Sequence, residues 1–159
     1  GIAKLAAEME LKVCHEMFGL DYVIFRPHNV YGERQNIADK YRNVVGIFMN
    51  QILQGQPMSV FGDGEQTRAF SYIGDAVPIM ADAIELPATR NQIFNIGADR
   101  PYTVNELARA IAAAMGVPPN IDYRPARNEV FTAYSSHAKV QRVFGERPTT
   151  DLDAGLARM

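Results

Sequence analysis

The chain has 159 residues and a formal net charge of −2, and 47% of its residues are hydrophobic and 21% charged. This balance is ordinary for a globular domain and gives no general reason to expect a nucleic acid or an anionic membrane as partner. The single cysteine, Cys14, has no partner for an internal disulfide, and no apolar run approaches the ~20 residues that span a bilayer. We therefore expect a soluble protein of the cytoplasm.

The first predicted element is a helix over Gly1–Phe18. Apolar residues recur in it at spacings of three and four, which is the period of one buried helix face. They are Ile2, Leu5, Ala6, Met9, Val13 and Met17. No capping Ser, Thr, Asp or Asn precedes this helix, and Gly19 ends it. The apolar run Tyr22–Arg26 predicts a strand, and the polar stretch Pro27–Asn43 predicts a long ordered loop.

Helices and strands then alternate along the rest of the chain. Helices are predicted over Val44–Leu53, Asp75–Leu86, Val104–Met115, Ser136–Phe144 and Asp151–Met159. Strands are predicted over Met58–Phe61, Phe70–Ile73, Gln92–Ile96 and Asn120–Arg124. Residues 62–64 predict a tight turn, and Pro78 is expected in the first turn of its helix. Thr103 and Glu106 predict a capping box. The interleaving favours an α/β or α+β fold.

Three segments carry polar groups suited to a ligand. The first, R-P-H-N-V-Y-G at 26–32, directly follows a predicted strand, and ligands of open α/β sheets bind beyond the carboxyl ends of strands. Its Arg, His, Asn and Tyr suit phosphate or sugar hydroxyls. An alternative of equal weight is a polar loop without a ligand, in which the side chains of Asn29 and Tyr31 form hydrogen bonds with the backbone of the loop itself.

The second segment is V-F-G-D-G-E-Q-T-R-A-F-S-Y-I-G-D at 60–75, and the third is R-P-A-R-N-E-V at 124–130. Gly62 and Gly64 would let the backbone approach a ligand closely, and Arg68 is a planar fork that can engage a diphosphate. The alternative for the second segment is a hairpin turn with a solvated arginine. Taken alone, the third segment is typical of a solvated charged loop.

In this order, R-x-x-N-V-Y-G, G-D-G-x-Q-x-R-x-F and N-I-G at 95–97 resemble one family. The chain is similar to the C-terminal half of an extended short-chain dehydrogenase/reductase of the NAD-dependent epimerase/dehydratase group, nearest to the UDP-glucose 4-epimerases. The resemblance implies an α/β, Rossmann-type fold. Residues 1–43 would form the end of the NAD-binding Rossmann domain, and residues 44–159 a smaller α+β lobe that binds the nucleotide sugar.

The resemblance also implies a catalytic Tyr-x-x-x-Lys pair, and counting back from Lys4 places the tyrosine one position before Gly1. The glycine-rich NAD loop would lie further upstream, so we expect a fragment that is inactive alone and binds nucleotide sugar weakly at best. Lys4 would lower the pKa of the tyrosine, ordinarily near 10, and hydrogen-bond the nicotinamide ribose. The alternative for Lys4 is a solvated ion pair with Glu8.

Further roles follow from the resemblance position by position. The residues implied for NAD are Lys4, Arg26, Pro27 and His28. Those implied for the nucleotide sugar are Asn29, Asn43, Val44, Val45, Val60, Phe61, Arg68, Arg127 and Glu129. Val60 and Phe61 would receive the uracil and Arg68 the phosphates, while Arg124 rivals Arg127 for a phosphate contact. His137 stands where the family often has a helix-capping aspartate.

The resemblance leaves three functions open. The first is a UDP-glucose 4-epimerase, the second is a nucleotide-sugar 4,6-dehydratase, and the third is a non-catalytic nucleotide-binding sensor or scaffold. No metal is expected. The family dimerises through the lysine-bearing helix, and the apolar positions Met9, Val13 and Met17 fit either a homodimer or an internal core.

Overall fold

A computed structural model describes residues 1–39, 43–133 and 135–159. Its helices are α1 (Ile2–Phe18), α2 (Val44–Leu53), α3 (Ile73–Glu85), α4 (Val104–Ala114), α5 (Ala138–Phe144) and α6 (Leu152–Leu156), with a 3₁₀ turn at Pro87–Thr89. Its strands are β1 (Val23–Pro27), β2 (Val30–Tyr31), β3 (Met58–Phe61), β4 (Thr67–Ala69), β5 (Ser71–Tyr72), β6 (Gln92–Ile96), β7 (Pro101–Thr103), β8 (Ile121–Arg124) and β9 (Thr132–Ala133). The predicted α/β class is confirmed.

Parallel pairing brings distant loops together. β1 pairs with β6 in parallel, so that Pro27 lies beside Ile96, and β3 pairs with β8, so that Phe61 lies beside Arg124. β2 pairs with β5 in parallel, and β4 lies between antiparallel β7 and parallel β9. The segments that follow β1 and β6 therefore share one sheet edge, as do those that follow β3 and β8.

Two hydrophobic cores support these sheets. The larger one packs α2, α4, α6 and β3 together, and Phe48, Met58, Leu107 and Ile111 in it are at most 1% exposed. The smaller one joins α3, β6 and α5 through Ala76, Ile79, Phe94, Ile96 and Val140. Because β6 pairs with β1, residues 92–96 share a sheet with the first predicted domain. The division at residue 44 stays a prediction.

The N-terminal helix differs from its prediction in what its apolar face contacts. No residue of α1 is buried, and the side chains on the predicted buried face are exposed: Ile2 is 89% exposed, Met9 60% and Met17 67%. The opposite face contacts β1, because Glu8 accepts a hydrogen bond of 2.8 Å from Arg26 Nε. The prediction that the apolar face of α1 is buried in a core of this chain is therefore wrong. The predicted end at Gly19 is confirmed by its left-handed φ of 68°.

The segment around Phe70 also differs from its prediction. Of the expected strand over 70–73 only Ser71–Tyr72 (β5) is a strand, and Phe70 separates it from β4, which pairs in a different sheet. Helix α3 already begins at Ile73, so Pro78 lies in its second turn rather than its first. The missing N–H of Pro78 would have bonded the carbonyl of Gly74. Strands of two or three residues are too short to show the alternation that predicts a strand.

The capping box at the start of α4 is confirmed. Thr103 Oγ1 accepts from the Glu106 N–H at 3.0 Å, and a Glu106 carboxylate oxygen accepts from the Thr103 N–H at 2.7 Å. Within the described ranges, no helix is long and apolar enough to cross a membrane.

Candidate functional site

A cleft of about 480 Å³ lies between α2, β3 and the segment that follows β8. Its size is typical of a small-molecule site. The residues predicted to bind a nucleotide sugar line this cleft, with the exception of Val45. The Val45 side chain is fully buried in the larger core, although its backbone N–H bonds the side chain of Asn43. The chain thus brings together residues from positions 29 to 129.

Arg68 is held in place on one side of the cleft. Its Nη1 donates to the carbonyl oxygens of Thr67 at 2.7 Å and Phe131 at 3.0 Å, and its Nη2 donates to Glu129 at 3.1 Å. Glu129 also accepts from Gln66 Nε2 at 3.2 Å. The planar guanidinium is therefore pre-oriented, and planar donors of this kind suit phosphate oxygens.

The two arginines that rivalled each other in the sequence have different positions. Arg127 lines the cleft, and its guanidinium carbon lies 3.2 Å from the centroid of the Phe61 ring. Arg124 instead pairs with Asp122 at 2.8 Å on β8 and lies outside the cleft lining. The geometry therefore favours Arg127 over Arg124 as the second cationic group of the cleft.

Two asparagines with left-handed backbone form the end of the cleft near α2. Asn29 has a φ of 35° and donates through Nδ2 to the Ala69 carbonyl at 2.9 Å. Asn43 has a φ of 46° and caps α2, since its Oδ1 accepts from the Val45 N–H at 3.2 Å. Asparagine tolerates this backbone region better than most residues. Because Asn43 and Val44 line the cleft, the partly positive N-terminus of α2 lies at it as well.

Two motif residues have structural rather than ligand-facing positions. Gly64 has a φ of 77°, and a Cβ there would lie 2.2 Å from Asn105 Oδ1 of α4, so packing as well as backbone conformation requires glycine. Tyr31 is 1% exposed, its ring meets that of Tyr72 edge-on, and burial raises the pKa of its hydroxyl. The expectation that Gly64 serves ligand approach is replaced by a packing role.

The residues predicted for NAD lie outside the cleft. Lys4 is exposed on α1, and among the described residues it has no hydrogen bond or ion pair. The alternative pair of Lys4 with Glu8 is wrong, because both Glu8 oxygens bond Arg26. This contact lowers the pKa of Glu8 and raises that of Arg26. Pro27 is exposed at the end of β1, and His28 Nε2 lies 2.6 Å from Ser135 Oγ.

The sequence analysis missed other residues of the cleft. Gln51 bonds both the hydroxyl and the backbone N–H of Ser59 at 3.1 Å, and Gln66 Nε2 donates to the Phe61 carbonyl at 2.9 Å. Ile47, Phe48 and Val104 complete the lining. The spacing of Val44, Ile47, Phe48 and Gln51 is that of one helix face, so their shared side of α2 was visible in the sequence. Within the described residues, no cluster of His, Cys, Asp or Glu suits a metal ion.

Comparisons with known proteins agree with this geometry. The model of the NAD dependent epimerase/dehydratase family matches residues 1–97. A protein of Methanocaldococcus jannaschii, provisionally named a UDP-glucose 4-epimerase, is 34% identical over 160 residues, which cover 100% of this chain and 51% of that protein. The chain thus spans about half the length of curated relatives such as this one.

Solved structures give the same result. The UDP-glucose 4-epimerase of Thermotoga maritima with UDP-glucose is 35% identical, with a TM-score of 0.89 over 99% of this chain and 50% of that one. The UDP-glucuronic acid 4-epimerase of Bacillus cereus with UDP-glucuronic acid and NAD is 26% identical, with a TM-score of 0.87 over 99% of this chain and 49% of that one. The chain belongs to the NAD-dependent epimerase/dehydratase family.

Proposed function

We propose that this chain forms the nucleotide-sugar-binding part of a UDP-sugar 4-epimerase, with the UDP moiety in the cleft. The observation that carries this proposal is the convergence of Arg68, Arg127, Glu129 and the N-terminus of α2 on one cavity of about 480 Å³. A nucleoside diphosphate needs cationic groups for its phosphates, acceptors for its ribose hydroxyls and a flat apolar contact for its base. The cleft supplies each of these.

The diphosphate would lie between Arg68 and the N-terminus of α2. Arg68 and Arg127 carry two positive charges against the one negative charge of Glu129, so these three side chains leave the cleft cationic. The first-turn N–H groups of a helix add donors and a partial positive charge. Asn29 uses its Nδ2 to bond the Ala69 carbonyl, and among the described residues its side-chain oxygen has no hydrogen bond, so it can accept one from a sugar hydroxyl.

The base would pair with the open edge of β3. The N–H groups of Met58 and Gly62 donate toward β8 at 2.9 Å, so the backbone groups of Ser59 and Phe61 face the other edge. Gln51 occupies the Ser59 N–H and Gln66 the Phe61 carbonyl. Among the described residues, the Ser59 carbonyl and the Phe61 N–H have no hydrogen bond, and one acceptor beside one donor complements the edge of uracil.

Glu129 and Phe61 would complete recognition of the nucleoside. The Glu129 carboxylate is an acceptor and suits the two hydroxyls of a ribose. Val60 and Asn43 lie on the same lining, beside the backbone groups that would bind the base. The Phe61 ring, already in contact with Arg127, offers an apolar face next to the nucleoside.

The residues of this chain fit the nicotinamide-ribose end of NAD. Bound NAD would accept a hydride from the sugar ring and return it. The unpaired ammonium of Lys4 suits a ribose hydroxyl and would stabilise a nearby phenolate. Arg26 would hold α1 against β1 through Glu8 rather than contact NAD. No G-x-x-G-x-x-G run is present in these 159 residues, so they contain no such loop for the pyrophosphate.

A phosphorus NMR titration tests the UDP assignment. UDP-glucose at millimolar concentration is mixed with the chain, and the diphosphate resonances report contact even when binding is weak. We expect Arg68→Ala to weaken binding about tenfold, since a charged hydrogen bond contributes about 1.5–3 kcal/mol. The matched control is Arg124→Ala, an arginine outside the cleft, which should leave the titration unchanged.

The assignment would be overturned by either of two results. One is an absence of any diphosphate shift with the wild-type chain. The other is an equal loss in Arg68→Ala and Arg124→Ala, which would place the phosphates away from the cleft. UMP, which lacks the second phosphate, should depend less on Arg68 than UDP-glucose does.

A further inference from the structure

Four side chains from three separate segments form a continuous hydrogen-bonded chain, here named the relay cluster. His28 follows β1, Asp99 follows β6, and Ser135 and His137 precede α5. Ser135 Oγ lies 2.6 Å from His28 Nε2 and 3.3 Å from His137 Nε2. His137 Nδ1 lies 2.6 Å from a carboxylate oxygen of Asp99. Each member thus contacts the next without a gap.

The relay cluster lies at the carboxyl end of the parallel β1–β6 pair, where α/β sheets bind ligands. Exposure to water changes sharply along the cluster. The Asp99 side chain, at one end, is 63% exposed, whereas the side chain of its neighbour His137 is 5% exposed. Gly97 packs tightly against the His137 ring of the relay cluster, because a Cβ at Gly97 would lie 3.3 Å from His137 Nε2. The cluster therefore connects solvent at Asp99 with the sheet edge at His28.

The chemistry of the four groups fixes where their protons lie. A carboxylate only accepts, so His137 Nδ1 carries a hydrogen and donates it to Asp99. In a neutral His137 the other nitrogen, Nε2, accepts from the Ser135 hydroxyl. The Ser135 oxygen in turn accepts from His28 Nε2–H, and His28 Nδ1 is left as an acceptor. Within the described part of the chain, no hydrogen bond involves that Nδ1.

A second arrangement follows when His137 takes up a second proton. His137 Nε2–H then donates to Ser135, the Ser135 hydroxyl donates to His28 Nε2, and the hydrogen of His28 is on Nδ1. The heavy atoms keep their positions, and the two hydrogen bonds of Ser135 reverse their direction, while His137 Nδ1–H still donates to Asp99. Two arrangements that differ by one proton and no heavy-atom movement are what a proton relay requires.

We propose that the relay cluster takes up a proton at Nδ1 of His28 and holds the resulting charge on His137, beside the Asp99 carboxylate. The steps balance with one proton. An N–H bond forms at His28 Nδ1 while the N–H bond at Nε2 breaks, and that proton joins the Ser135 oxygen. The hydroxyl proton of Ser135 passes to His137 Nε2. His28 ends neutral in its other tautomer, and the charge lies on His137.

The surrounding charges support this direction of transfer. Burial, and then the charge on His137, lower the pKa of His28, whereas the Asp99 carboxylate contacts His137 directly. Three charged side chains on the elements packed here have their own partners. Arg26 of β1 bonds Glu8, Asp75 of α3 bonds Thr150, and Lys139 of α5 bonds the Ile93 carbonyl. Asp99 thus supplies the carboxylate that contacts His137 within the relay cluster.

The relay adds a proton-transfer step to the proposed function. It depends on that function only for the source of the proton. If the sugar lies beyond β1, its hydroxyl groups lie where His28 Nδ1 can exchange a proton with them. Asp99 then stabilises the charge held on His137 from the solvent-exposed side. The geometry of the relay itself does not depend on which sugar binds.

Nitrogen NMR of the chain without ligand tests the relay. Long-range hydrogen–nitrogen correlations identify the tautomer of each imidazole as the pH is lowered. We expect His28 to change from the Nε2–H to the Nδ1–H form at the same pH midpoint at which His137 becomes cationic. A separate, later step would then protonate His28 itself. His15 on α1 provides a comparison imidazole outside the relay cluster, with its Nδ1 at 3.1 Å from the Leu20 carbonyl oxygen.

The relay would be overturned if His28 kept one tautomer while His137 titrates, or if His28 became cationic first. Ser135→Ala removes the connecting hydroxyl and should abolish the tautomer change of His28. The matched control Ser136→Ala, an exposed neighbour, should retain it. A tautomer change that persists in Ser135→Ala would also contradict the relay. Because no ligand is used, the relay and the UDP assignment can each fail while the other stands.

Discussion

Helices α1 and α4 show the same apolar periodicity but differ in what their apolar faces contact. Six residues of α4 are buried, and among them Leu107, Ala108 and Ile111 are 0% exposed. No residue of α1 is buried, and its apolar face is open to solvent. A periodic pattern therefore predicts a helix and the side that will be covered, but it does not identify the surface that covers it.

This difference separates the cleft proposed for the nucleotide sugar from the helix that carries Lys4. The cleft is built on the larger core, between α2, α4 and β3, so the described residues supply both its lining and its support. Lys4, in contrast, stands on a helix held to β1 mainly on the side of Glu8. We propose that a second copy of the chain covers the apolar face of α1, as the predicted homodimer implies.

The largest expected effect comes from truncating matched leucines in the two helices. Leu107→Ala should lower the free energy of unfolding by about 2–5 kcal/mol, because it leaves a cavity in a fully packed core. Leu5→Ala on α1, where Leu5 is 56% exposed, should change it by no more than about 0.5 kcal/mol. Urea unfolding followed by circular dichroism measures both.

If both substitutions lowered the free energy of unfolding equally, the apolar face of α1 would be packed in solution. The contrast between α1 and α4 would then be wrong. If Leu107→Ala does not fold, Ile111→Val keeps the test possible, since this smaller truncation should cost about 0.5–1.5 kcal/mol. A concentration dependence of the Leu5→Ala effect would indicate that a second copy covers the apolar face.

The next effect concerns the helix starts. Thr103→Ala removes the side-chain cap of α4 and should cost about 1 kcal/mol in the free energy of unfolding. Helix α1 has no side-chain cap at its first residue, so no substitution there can remove a capping hydrogen bond. Thr132→Ala, at an exposed position of β9, is the control and should be near neutral. A neutral Thr103→Ala would mean that packing alone positions α4.

The smallest effect is a pH dependence at the contact between α1 and β1. Hydrogen bonding and charge from Arg26 hold the pKa of Glu8 below its ordinary value of 4.5. A carboxyl with a lowered pKa stabilises the folded state above its ordinary pKa, and this contribution is lost as the pH falls through the lowered value. Carboxyl-carbon NMR should show the Glu8 midpoint rising in Arg26→Gln. An unchanged midpoint would mean that Arg26 does not bond Glu8 in solution.

Several features were predictable because their signals are local. The capping box at Thr103 and the left-handed end at Gly19 depend on neighbouring residues, and both are confirmed. The match of motifs in order placed Arg68 and Asn29 among ligand-binding residues, and both line the cleft. Strand β9 was not predictable, because its two residues gain their conformation from pairing with β4.

The features that sequence reasoning missed depend on tertiary contacts. His137 was noted only as a departure at a helix cap, yet its ring bonds Asp99 and Ser135 instead of capping α5. Asp99 and His137 are far apart in the sequence and meet through the pairing of β1 with β6 and the packing of α5 on β6. Gly64 was assigned to ligand approach because its contact with Asn105 has no local signal.

A nitrogen–hydrogen correlation map of the chain, recorded during titration with UDP-glucose, tests the central claim most directly. The amide shifts compare the cleft with α1 in one sample. We expect the changes to concentrate at Asn29, Val44, Phe61 and Arg68, with the α1 amides unmoved. Changes concentrated on α1, or spread evenly over the chain, would contradict a nucleotide-sugar site in the cleft.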